Sequence, residues 1–182
     1  MAAHNQLKRT TPDFERVRDI DPLLALSDQT RATIEHWRAK FPPERQRSAL
    51  IQGLMAAQTQ NGGWLNDEMI TAVARYLDLP PAWGYEVASF YSMFDLKPVG
   101  RHKVAICTNI SCMLSGSEEI VRHVEAKLGC KLGQTTADGR ITLKIEEECL
   151  AACVQAPMMM VDGHYHEHLT PEKVDSILDG LK

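Results

Sequence analysis

Two pairs of cysteines constrain this chain more than any other feature. Cys107-Thr-Asn-Ile-Ser-Cys112 has the spacing C-x4-C, and Cys149-Leu-Ala-Ala-Cys153 has the spacing C-x3-C. A fold that uses all four must bring two distant loops to one place. Four thiolates gathered there suit a [2Fe–2S] centre, two to each iron. Structural zinc tolerates similar gaps, although C-x2-C is its commoner form. Two disulfides would need an oxidising compartment. A thioredoxin-type redox pair would need C-x-x-C, which the chain lacks.

Composition narrows the choice. The chain of 182 residues is 44% hydrophobic and 24% charged, which suits a folded core. Its net charge is −4, with no basic patch, so nucleic acid is not the expected partner. The N-terminal segment has no apolar run of a secretory signal, and no stretch approaches a membrane span. The expectation is a protein in a reducing, cytoplasmic compartment with no direct membrane insertion.

All five cysteines follow residue 106, which suggests two units with separate tasks. The Pro/Gly punctuation at Lys97-Pro98-Val99-Gly100 marks the boundary. Three segments are therefore expected: an N-terminal arm at 1–26, a helical bundle at 27–97 and an α/β domain at 98–182. In the bundle, Ile34, Trp37 and Phe41 lie on one stripe of a helix over about 29–41, stopped by Pro42-Pro43. A second helix from Pro43 buries Leu50, Leu54, Met55 and Ala57. Asn66 caps a third, with Ile70, Val73, Ala74 and Leu77. Pro80-Pro81 opens a fourth, which runs through Val87, Ala88, Tyr91 and Phe94. The apolar Phe90–Phe94 end is a candidate partner surface.

Past residue 100, Val104 and Ile106 alternate as in a strand. Ser115-x-x-Glu118 has the form of a capping box ahead of Ile120, Val121, Val124 and Leu128. Ile141–Ile145 alternates as a half-buried strand, with a further short strand near Gln134–Thr136. Met158–Val161, the Asp162-Gly163 turn and Tyr165 form a hairpin, and Thr170-Pro171 opens a last helix. The order strand, helix, strand, strand, strand, helix is a thioredoxin-like mixed sheet with flanking helices. Each cysteine pair follows a strand, so both can meet at one end of it.

Other residues have ordinary explanations. Cys130 suits a small buried apolar site, Met158–Met160 suits core filling, and His164, His166 and His168 suit the wet face of a hairpin. Glu146-Glu147-Glu148 before Cys149 would oppose the arrival of further negative charge nearby. No nucleophile–base pair or phosphate-binding glycine loop is present, so the chain is not expected to bind NADH or flavin.

From about residue 45 onward the chain resembles a known family. The shared words include Ser48-Ala-Leu50, Ala57-Gln58, Gly63-Trp64-Leu65, Phe90-Tyr-Ser-Met-Phe94, Pro98-Val-Gly100, Gly133-Gln-Thr-Thr136, Glu148-Cys-Leu150, Ala156-Pro157 and Leu169-Thr-Pro171. They are similar to the thioredoxin-like [2Fe–2S] subunit of NADH:quinone oxidoreductase (respiratory complex I) in its bacterial form. The resemblance implies a helical bundle followed by a thioredoxin-like domain. It also implies one [2Fe–2S] cluster held by Cys107, Cys112, Cys149 and Cys153. FMN and NADH would sit on a partner flavoprotein subunit, with other peripheral-arm subunits nearby and the whole complex attached to the inner membrane. The chain would be part of an enzyme without catalysing alone. Small subunits of NAD-linked formate dehydrogenases and hydrogenases share the pattern, and a zinc-stabilised interaction module is the alternative outside it. The family usually has glycine where this chain has Ala151, which implies either a more ordinary backbone there or a small strain.

Overall fold

The computed structural model describes residues 13, 15–145 and 149–182. The chain divides into two compact units between Pro98 and Val99.

The first unit is helical. Among the described residues it contains α1 (Pro22–Ala25), α2 (Asp28–Arg38), α3 (Leu50–Gln60), α4 (Asp67–Tyr76) and α5 (Pro81–Phe90). The side chains of Asp21, Ser27 and Asn66 cap α1, α2 and α4, each accepting from a backbone N–H left free by the helix. Ile34, Leu54, Ala57, Leu65, Ile70, Val73 and Ala88 share one core. Within it, buried Gln58 holds the chain after α5. Its amide donates to the Met93 carbonyl at 3.1 Å, and its oxygen accepts from the Asp95 N–H at 2.8 Å. A buried amide satisfied on both ends fixes its neighbours more tightly than apolar packing alone.

Three details depart from the sequence reading. The helix from Pro43 starts as a 3-10 turn, Pro43–Ala49, before α3. Met55 is exposed, because it lies on the α3 face away from Leu54 and Ala57. The described part of the segment read as an arm, residues 13 and 15–26, is anchored: Val17 and Leu26 are buried, and Arg75 Nη1 donates to the Ile20 carbonyl at 2.8 Å. Residues 1–12 and 14 lie outside the described residues.

The second unit is a mixed sheet in the order β2-β3-β1-β4-β5, formed by β1 (His102–Ile106), β2 (Gln134–Thr135), β3 (Ile141–Lys144), β4 (Met159–Val161) and β5 (His164–His166). β1 and β3 are parallel, from His102 beside Ile141 to Ala105 beside Lys144. β4 runs antiparallel to β1, with Met159 opposite Ile106. Among the described residues, α6 (Ile110–Leu114), α7 (Ser117–Leu128) and α8 (Pro171–Gly180) complete the unit. Ile120 and Val124 of α7 and Val174 and Leu178 of α8 pack with Val104, Ile106, Ile141, Leu143 and Met159. This is the mixed α/β, thioredoxin-like architecture that the order of elements predicts.

The strands are more deeply covered than their alternation suggests. Val104, Ala105 and Ile106 are all buried, and so are Ile141, Thr142 and Leu143. Thr142 tolerates burial because its hydroxyl accepts from Gly100 N at 2.6 Å and pairs with the Thr135 hydroxyl at 2.8 Å. Gly100 is required by space: a Cβ there would stand 2.9 Å from the Gly139 carbonyl oxygen. The capping box does not form. Gly116, at φ 93°, precedes α7 without a side-chain cap, and the Ser115 hydroxyl donates back to the Ser111 carbonyl at 2.8 Å. Ser115 instead forms the C-cap of the short helix that precedes it, and Gly116 takes the N-cap position of α7.

Candidate metal centre

Cys107 is the residue after β1, and Cys149 lies shortly after β3. Because these strands are parallel neighbours, their C-terminal ends lie at one end of the sheet, and there Leu150, next to Cys149, packs with Cys107 and Cys112. The antiparallel β4 begins at that same end. The Met158 carbonyl accepts from Cys107 N at 3.1 Å, and the Met158 backbone also bonds Cys112. One residue thus ties the first cysteine loop to the strand that follows the second. The segment Cys153–Gln155, a 3-10 turn, leads back toward β4 through Ala156–Pro157.

Cys112 sits inside α6, which begins three residues after Cys107 and which sequence reasoning missed because five residues carry too little periodicity. The Asn109 side chain caps it, accepting from Ile110 N at 3.0 Å. This helix turns Cys112 inward. Cys107 and Cys112 are 0% and 1% exposed. They share a small apolar cluster with Leu150 and Met158, against which Ala152, Ala156 and Met160 pack. Burial pushes the Cys112 thiol up to about 11, helped by a hydrogen bond with Cys107 and opposed by the Met158 backbone. A buried thiolate without a cation is unfavourable, so this pair calls for positive charge nearby if it is to ionise.

The second pair is different. Cys149 and Cys153 are exposed, with their sulfurs 3.5 Å apart. A tetrahedral ion with metal–sulfur bonds near 2.3 Å separates two of its sulfurs by about 3.8 Å. The pair is therefore close to the spacing one metal ion imposes. All five cysteines are free thiols. Among the described residues the donors meet in pairs, and no three His, Cys, Asp or Glu groups gather as a single ion would require.

At Ala151 the second of the two expectations, a small strain, is the one realised. Its φ is +61°, so the backbone there is left-handed rather than ordinary. That conformation costs a residue with a Cβ roughly 1–2 kcal/mol. The Ala151 N–H donates to the Cys149 sulfur at 3.3 Å.

Some apolar residues beside the cysteines are exposed. Ile110 is 68%, Leu114 79% and Val154 90% exposed, with Met113 also partly open. Cys130 is buried in the main core and Met158 and Met159 are fully buried, as their types predict. His164 and His168 are exposed, and burial holds the His166 imidazole below its usual range. Glu146, Glu147 and Glu148 lie outside the described residues. Among the described residues no helix is long and apolar enough to cross a membrane.

Residues 34–182 match the model of the thioredoxin-like [2Fe-2S] ferredoxin family. This chain belongs to that family. Within the thioredoxin-like [2Fe-2S] ferredoxins it is 48% identical over 143 residues to the E subunit of the NADH-quinone oxidoreductase of Rickettsia bellii (strain RML369-C), spanning 79% of this chain and 85% of that protein. It is 43% identical over 149 residues to the mitochondrial NADH dehydrogenase [ubiquinone] flavoprotein 2 of Dictyostelium discoideum, spanning 82% of this chain and 60% of that one. A solved structure of an NAD+-reducing [NiFe]-hydrogenase shares the fold, with a TM-score of 0.59 and 24% identity over 71% of this chain. The chain spans only 22% of that hydrogenase chain.

Proposed function

We propose that this chain is the electron-transfer subunit of an NADH:quinone oxidoreductase, holding one [2Fe–2S] cluster through Cys107, Cys112, Cys149 and Cys153. The convergence of two cysteine loops at the shared end of parallel β1 and β3 carries the reading. The donor set suits the group: four thiols, one pair near the spacing of a tetrahedral ion, and a buried pair in need of positive charge. A centre of this type takes up and returns one electron at a time.

The protein's own residues divide the work. Leu150, Met158 and their apolar neighbours keep water from Cys107 and Cys112, which disfavours added negative charge and lowers the potential. The Cys149–Cys153 segment stays open to a partner. Exposed Ile110, Leu114 and Val154 beside the cysteines form an apolar rim suited to docking. The partner in this reading is the flavoprotein subunit that binds FMN and NADH, with the other peripheral-arm subunits around it. The assembly is peripheral to the cytoplasmic face of the inner membrane. The same small subunit could serve a soluble NAD-linked hydrogenase, a reading favoured only by the shared fold.

Iron and acid-labile sulfide analysis of the anaerobically purified chain tests the centre. The expected result is about two of each per chain, with visible absorption and an EPR signal on reduction. One tetrahedral zinc per colourless chain would reject it. Affinity purification of the intact complex separates the two enzymes by their large subunits.

A further inference from the structure

The two surface sulfurs have a second chemistry open to them. Cys149 Sγ and Cys153 Sγ stand 3.5 Å apart, and both residues are exposed free thiols. A disulfide bond is about 2.05 Å long, so the sulfurs need to approach by only about 1.5 Å. Three residues separate the two cysteines, so closing the loop costs little chain entropy. The other cysteines are shielded from the same reaction. Cys107 and Cys112 are buried with Leu150 and Met158, and Cys130 is buried in the separate core between the sheet and its helices.

We propose that Cys149 and Cys153 close into a reversible disulfide when the chain lacks its centre and meets an oxidant, a latch that withholds the surface donors until they are reduced. The oxidant is a small-molecule disulfide of the glutathione class. The thiolate of one cysteine attacks a sulfur of that molecule, forming a mixed disulfide and releasing one small thiol. The neighbouring cysteine then attacks the protein sulfur of the mixed disulfide, so the protein S–S bond forms and the second small thiol leaves. Two electrons pass from the cysteine pair to the oxidant, and the two cysteine protons end on the two released thiols. A sulfur held in a disulfide is no longer a metal ligand, because the ligand is the thiolate. Exposed disulfides are the labile ones, so excess reduced thiol reopens the latch. The bridge forms whichever metal the four cysteines hold; its effect on assembly rests on the ligand set proposed above.

The full chain, stripped of metal by a chelator under reducing conditions, is equilibrated at rising ratios of oxidised to reduced glutathione. It is then unfolded in N-ethylmaleimide and digested with trypsin. Cleavage after Lys and Arg places Cys107 and Cys112 on peptide 104–122, Cys130 on 128–131, and Cys149 and Cys153 together on 145–173. With rising ratio, peptide 145–173 should lose both alkylation sites and two hydrogens, without a glutathione adduct, while 104–122 keeps both alkylated thiols. Dithiothreitol should restore the pair. Cys153→Ser should instead accumulate glutathione on Cys149. Cadmium, as a thiolate-seeking probe, should bind the oxidised chain at least about tenfold more weakly than the reduced chain, read from thiolate-to-metal absorption. Two alkylated thiols on 145–173 at every ratio, a lasting glutathione adduct in the parent, a cross-link to 104–122, or equal cadmium binding overturns the latch. If Cys153→Ser fails to fold, the parent's peptide masses decide alone. A chain purified anaerobically without iron and sulfide overturns the ligand set and leaves the bridge to be judged by these masses.

Discussion

The two cysteine loops reach the same end of the sheet by opposite means. The first folds into a capped helix, hides both sulfurs and packs them against Met158 and Leu150. The second stays at the surface, turns through a strained alanine and satisfies a sulfur with its own backbone. A site built this way has a dry side that resists added charge and a wet side that admits a partner. Burial sets one pair, and local hydrogen bonding sets the other.

Replacing a ligand from each loop should give the largest contrast. Cys107→Ser is expected to abolish the centre, because a buried hydroxyl neither ionises readily nor reaches water. Cys153→Ser, at the surface, should retain a weaker, oxygen-labile centre with a changed EPR signal. Iron content and EPR of both variants check this, and equal behaviour would remove the distinction between the loops.

Packing gives the next contrast. Met158→Ala empties a fully buried site beside Cys107 and should cost about 2–5 kcal/mol in denaturant unfolding. Val154→Asp, at an exposed position, should change stability by less than about 0.5 kcal/mol while weakening recovery of the partner subunit on affinity purification.

Thiol chemistry gives a third, smaller contrast. In the metal-free chain, iodoacetamide should modify exposed Cys149 and Cys153 first. The Cys112 thiol, pushed up to about 11, remains protonated at pH 8. Its thiolate fraction, and so its rate, should rise about 100-fold between pH 8 and pH 10. Mass spectrometry of the alkylated peptides measures the order.

The smallest effect lies at the opposite end of β1. The Asp162 carboxylate accepts from His102 Nδ1 at 2.7 Å and raises the imidazole above its usual range, and the Lys182 carbonyl adds to this. A group raised by folding contributes fully below its unfolded value near 6.5 and loses that contribution as pH rises through its folded value. The pair is partly exposed, so about 0.5 kcal/mol or less is at stake. Thermal midpoints from pH 6 to pH 9 should fall slightly in the parent and stay flatter in Asp162→Asn.

Much of this arrangement is legible in the residues alone. Alternation at Val104 and Ile106 and the Asp162-Gly163 turn place the strands, and the cysteine spacing places the donors after them. What could not be read depends on tertiary context. The helix that carries Cys112 is too short to show a period, and its C-cap engages Ser115, the residue read as opening a capping box. Thr142 looks like an outward-facing residue until Gly100 and Thr135 supply partners for its hydroxyl. Alanine at 151 says nothing by type about a left-handed turn, since the surrounding loop imposes it.

The shared register of β1 and β3 has a kinetic consequence. Four consecutive residue pairs, from His102–Ile141 to Ala105–Lys144, lock the two strands from which the cysteine loops depart. Nuclei held in so stiff a scaffold shift little when an extra charge arrives. Reorganisation is then small on the buried Cys107–Cys112 side, and water around the exposed Cys149–Cys153 side supplies the larger share until a partner covers it.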